Sequence, residues 1–122
     1  MAAECKVQVV ASLTGLGKTY EFNETFSVTT TPSAKAYIYQ VQATTDVAEA
    51  LQKGDVTTPE LIIIHAVDNE VEVDTDWVTP TFEAHEIIAE GEVRVIKPAG
   101  VVYIKNHTTS EVATVEALIV GT

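Results

Sequence analysis

The stretch Leu61-Ile-Ile-Ile-His65-Ala-Val67, entered through Thr58-Pro59 and left through Asp68-Asn69, decides the fold class. It is almost continuously apolar, rich in β-branched residues and bounded by turn formers. That pattern belongs to a strand covered on both faces. It is far too short to cross a bilayer. Outward from it, the same grammar repeats. Val71-Glu-Val73, then segments 82–89, 92–97, 101–106 and 112–120, are short runs of β-branched and aromatic residues. Glu90-Gly91, Pro98-Ala-Gly100 and residues 108–110 interrupt them as turns.

Toward the N-terminus, Cys5 to Ser12 alternates, with Val7 and Val9 on one face. Gly15 and Gly17 make a turn, and residues 18–29 form a second long run with Tyr20 and Phe22 on one face. Asn23-Glu24 is expected to bend or bulge that run. Residues 36–44 follow with Tyr37, Tyr39 and Val41 on one side. The segment from Val47 to Lys53 is the one helical stretch, with Asp46 as its cap and Gly54 as its end. The expectation is eight or nine strands in a single domain spanning residues 1–122. The fold class is all-β: a jelly-roll or related Greek-key antiparallel β-sandwich with one short helix. An immunoglobulin-like sandwich is weakened by the absence of a Cys-Trp-Cys pattern.

Seven basic residues face eighteen acidic ones, a net charge of −11. Residues 1–58 carry six acids and four bases; residues 59–122 carry twelve acids and three bases. Nucleic-acid binding needs clustered Lys and Arg, and an anionic membrane needs the same, so neither partner is expected. No basic-then-apolar leader opens the sequence, and the lone Cys5 fits a reducing compartment. The expected chain is soluble.

Motifs that carry chemistry are weak. Gly15-Leu-Gly-Lys-Thr19 ends like a phosphate-binding loop, but Ser12 stands where its first Gly belongs, and a strand follows where a helix is required. His65, His85 and His107 fall in separate strands, and Glu83 shares a face with His85, which makes two ligands at most. Asp68, Glu70, Glu72, Asp74 and Asp76 alternate, as on the solvent face of a strand, without the Gly-turned loop of a calcium site. There is no nucleophile elbow. No catalytic residue, cofactor or metal is expected, and the chain is read as no enzyme. Trp77, in Asp74-Thr-Asp76-Trp-Val-Thr-Pro80, is either a core plug or an anchor in a partner's pocket, with Asp74 and Asp76 keeping its loop hydrated.

From Thr57 to Val120 the cadence Thr58-Pro59-Glu-Leu61-Ile-Ile-Ile-His65-Ala-Val-Asp68-Asn69, then Glu90-Gly91-Glu-Val93-Arg-Val95, then Gly100-Val-Val-Tyr103-Ile-Lys-Asn106 resembles small structural proteins of tailed-phage virions. It departs from them at His65-Ala66, where an Asn is usual. The resemblance implies a jelly roll that decorates, cements or staples the capsid, in a virion assembled in the host cytoplasm. Its partner would be the major capsid protein or another virion protein, and the chain would form a homo-oligomer, a dimer or trimer. Expected contacts are Trp77, Asp74, Asp76 and the apolar end Leu118, Ile119 and Val120, with Met1-Ala-Ala at the other end. A phage neck or tail protein and a ligand- or carbohydrate-binding sandwich module are the alternatives.

Overall fold

The decisive run becomes the longest strand, β5 (Pro59–Asp68), in the computed structural model, which describes residues 3–28 and 31–122. Its neighbours are β10 (Thr114–Gly121) and β8 (Val93–Ile96), and β3 (Ala34–Val41) lies beyond β10, giving a first sheet in the order β3-β10-β5-β8. The second sheet runs β4-β9-β6-β7, from β4 (Glu49–Ala50), β9 (Tyr103–Asn106), β6 (Val71–Asp74) and β7 (Glu86–Ile88). All pairs are antiparallel.

The connectivity is that of a folded-over ribbon. β3 pairs with β10, β4 with β9, β5 with β8 and β6 with β7, and successive pairs fall alternately in the two sheets. β10 then meets β5, and β9 meets β6, to close each sheet. Eight strands wound this way are a jelly roll. The inner rows follow from the register: Ala36-Ile119-Ile62-Ile96 and Ile38-Ala117-Ile64 on the first sheet. Facing them are Val71, Val73, Ile88 and Ile104 of the second sheet, all fully buried. The nine Val and Ile side chains exposed by no more than 1% contribute on the order of 14–27 kcal/mol of gross burial, the term that offsets chain entropy. Arg94 reaches from β8 to Glu86 of β7 at 3.6 Å and closes one open edge between the sheets.

Three expectations need correction. No helix forms between Val47 and Lys53. Asp46 takes φ 64°, outside the extended range of an N-cap, and its carboxylate is latched by Asn106 (2.8 Å) and the Ser110 N–H (3.1 Å). The segment's donors and acceptors go elsewhere. The Gln52 N–H donates to Gln40 Oε1, Gln40 Nε2 donates to the Ala50 carbonyl, and the Leu51 N–H donates to the Val102 carbonyl. The edge of β9 thus gains β4 where the sequence suggests a turn of helix. Asn23 and Glu24 make no bulge; they pair in unbroken register with Val10 and Val9. The alternating acids do not form one row, because Asn69 at φ 64° turns the chain between β5 and β6.

Candidate interaction surface

The remaining two strands, β1 (Lys6–Leu13) and β2 (Tyr20–Ser27), pair only with each other. Residues 14–19, with Gly15 and Gly17 at positive φ, turn one into the other. This hairpin stands off the sandwich as an arm. Its register is Val7 opposite Phe26, Val9 opposite Glu24, Ala11 opposite Phe22 and Leu13 opposite Tyr20. Directly opposed side chains share a face. One face is therefore apolar apart from Glu24, and the other carries Lys6-Ser27, Gln8-Thr25, Val10-Asn23 and Ser12-Glu21. Only Val7, at the root, is buried. Leu13, Tyr20 and Phe22 stay 50%, 61% and 54% exposed.

The arm's root lies against the outer face of the first sheet. Cys5 and Val28 are joined there by a backbone hydrogen bond of 2.9 Å. Apolar clefts open on both sides of the root, one lined by Cys5, Pro32, Leu118 and Val120, the other by Phe26, Val28, Leu61 and Val95. In the first outer row, Lys35-Val120-Leu61, the two apolar members are covered: Leu61 and Val120 are buried although they point away from the core, and Lys35 is exposed. The next rows, Tyr37-Leu118-Ile63-Val95 and Tyr39-Glu116-His65-Val93, are open. Tyr37 and Tyr39 are 72% and 62% exposed, and Val93 and Val95 are exposed as well.

Glu116 is the one acidic residue in these rows, and both of its oxygens are engaged. His65 Nδ1 lies 2.7 Å from Oε1, and the Tyr37 hydroxyl donates to Oε2 at 2.9 Å. The hydrogen bond to His65, then that from Tyr37, holds the Glu116 carboxyl below its ordinary range, while Glu116 in turn pushes the Tyr37 hydroxyl up. Three strands are stitched together at this point of an otherwise apolar face.

The other sheet presents a different exterior. Residues 75–85 fold back over it. Trp77 lies flat on Tyr103, with ring centroids 3.9 Å apart and planes 9° from parallel. The Trp77 N–H donates to the Val101 carbonyl, and Lys105 sits over Phe82 at 5.9 Å. Trp77 is thus a half-buried loop anchor of its own chain, neither a core plug nor a free ring. Asp74 is not a hydrating group. It is buried, its Oδ1 accepts the Asp76 N–H, its Oδ2 accepts the Glu83 N–H, and Oδ1 stands 3.3 Å from His85. Asp76 is exposed on the loop, beside Gly100. At the C-terminal strand, Ile119 points into the core, Val120 lies under the arm's root and Leu118 borders the open face. Met1 and Ala2, proposed as a docking end, and Thr29 lie outside the described residues.

Each histidine keeps its own carboxylate neighbours. His107 sits 3.0 Å from Glu72, and His85 lies 3.5 Å from Glu83. Among the described residues no three His, Cys, Asp or Glu side chains converge on one point. The loop of residues 14–19 runs into β2 with no helix behind it, so its N–H groups have no helical terminus to join. The exposed arm and the open face were hidden in the sequence, although the alternation of Val7, Val9, Leu13 against Tyr20, Phe22, Phe26 about a glycine turn carried the signal. Set against known proteins, the chain matches no family model, no curated protein and no solved structure.

Proposed function

We propose that this chain is a non-enzymatic structural protein of a tailed-phage virion, a subunit that decorates or cements the capsid by protein–protein contact. The observation that carries this reading is the arm: a two-stranded hairpin whose face of Leu13, Tyr20, Phe22, Val9 and Phe26, broken only by Glu24, is exposed beyond its root. An isolated hairpin is marginal in stability, and a continuous exposed apolar face marks an interaction site. The cadence of residues 57–120 supplies the setting. The charge of −11 keeps the free subunit soluble and steers it toward basic groups on a shell partner, so docking should weaken as salt rises.

The test is composition. Phage particles purified from a lysate of the host that makes this chain should contain it in many copies per particle by quantitative mass spectrometry. Antibody labelling should place it on the particle exterior. Its absence from purified particles refutes the proposal.

A further inference from the structure

We infer that the arm of one copy lies on the open outer face of the first sheet of a second copy, so that subunits join by arm exchange. The inference rests on reading the chain as an assembly subunit and goes beyond it in naming what the arm grips.

Each copy carries one uncovered apolar hairpin face and one uncovered apolar sheet face. The two lie side by side, since the arm's root already sits on the row next to the open ones. One arm and one face per copy match in number in any closed ring, including a two-fold dimer.

Charge selects the arm as the part of a neighbour that can approach. Residues 3–28 hold two bases and three acids, a net −1, whereas residues 31–122 hold five bases and fifteen acids, a net −10. Two bodies repel each other; an arm and a body scarcely do. Glu24, the lone charge on the arm's apolar face, has basic counterparts in Lys35 and Lys97, which border the sheet face beside the two clefts.

The face itself is prepared for covering. A carboxylate taken out of water needs its lone pairs satisfied. Glu116 has both oxygens held by His65 and Tyr37 of its own chain, so a neighbour need bring no donor. A hydrocarbon surface such as the arm's can then lie over it.

Complementation tests the inference. The full chain is compared with two double variants, Tyr20→Ser/Phe22→Ser in the arm and Val93→Ser/Val95→Ser on the sheet. Circular dichroism and a melt establish that each is folded. If either pair fails to fold, Leu13→Ser and Tyr39→Ser, both at exposed positions, take its place. Sedimentation velocity should give a dimer or trimer for the wild-type chain. Each variant alone should have a dissociation constant raised about a hundredfold or more and run as a monomer near 10 µM. An equimolar mixture of the two should form a 1:1 heterodimer, because the intact arm of one fits the intact face of the other. A monomeric wild type, variants that stay oligomeric, or a mixture that stays monomeric overturns arm exchange. A monomeric chain that is nonetheless abundant in purified particles overturns the exchange and leaves the shell reading standing. Complementation by a chain missing from particles does the reverse.

Discussion

Replacing Trp77 with Ala tests whether the 75–85 loop is held by the stack on Tyr103. The ring is half-buried and lies face to face with Tyr103 at 3.9 Å. Its removal exposes roughly 80–100 Å² of ring and platform, about 2–2.5 kcal/mol at ~25 cal/mol per Å², and forfeits about 0.5 kcal/mol more of aromatic pairing. For a chain of 122 residues, with an unfolding entropy near 2.1 cal/mol/K per residue, a loss of about 2.5–3 kcal/mol lowers the melting temperature by roughly 10 °C. Circular-dichroism melts of the wild type and Trp77→Ala give that shift directly. The wild type offers an independent readout, because Trp77 is its only indole. Tyr103→Ser should make the ring more accessible to acrylamide quenching while the sandwich stays folded. A shift under about 3 °C, or quenching unchanged by Tyr103→Ser, means the stack does not hold the loop. Outright failure of Trp77→Ala to fold means the ring anchors far more than a surface loop.

Asp74→Ala should cost about 2–4 kcal/mol, because the Asp76 and Glu83 N–H groups lose a charged acceptor; denaturant titration gives the cost, and faster amide exchange at those two residues gives its location. The first sheet's stability should fall at both ends of the pH scale. The Glu116 carboxyl is lowered from 4.5, so its contribution is complete above pH 4.5 and lost as pH drops through the lowered value. The Tyr37 hydroxyl is raised from 10.0, so its contribution is complete below pH 10 and lost as pH climbs through the raised value; Glu116→Gln should flatten both arms of the stability–pH curve. Gly121→Ala should destabilise by about 1–3 kcal/mol, since a Cβ there collides with the Thr58 carbonyl, and a lowered denaturant midpoint at constant slope would register it.

The sequence announced strands wherever local chemistry decided them. The composition of Leu61 to Val67 reads as doubly covered, but the outer cover reaches only Leu61, under the arm; Ile62, Ile64 and Ala66 are buried from within, while Ile63, His65 and Val67 on the outer side stay partly exposed. The segment from Val47 to Lys53 failed because its helical spacing is local and its partner is not: the open edge of β9, about fifty residues away, takes Glu49 and Ala50 into the ladder. Asp74 misled for a similar reason. An acidic residue in an acidic turn reads as hydrated, and only the folded loop brings two N–H groups onto it. Ile119 and Leu118 are adjacent in sequence but face opposite sides of β10, so the two-residue period of the strand leaves only Leu118 of the pair on the surface.

The central place of β10 in the first sheet sets a clock on assembly. Neither β3 nor β5 has its shared neighbour until residues 114–121 have left the ribosome, so the outer face of the first sheet is completed last, long after the residues of the arm have been made. Roughly 90 residues separate the end of β2 from the end of β10, an interval of about 5–20 s at ordinary rates of synthesis. On the arm-exchange proposal, two half-made chains have no face to offer one another, so coupling needs at least one finished subunit. The polar reverse face of the hairpin and Glu24 on its apolar side keep the waiting arm in solution.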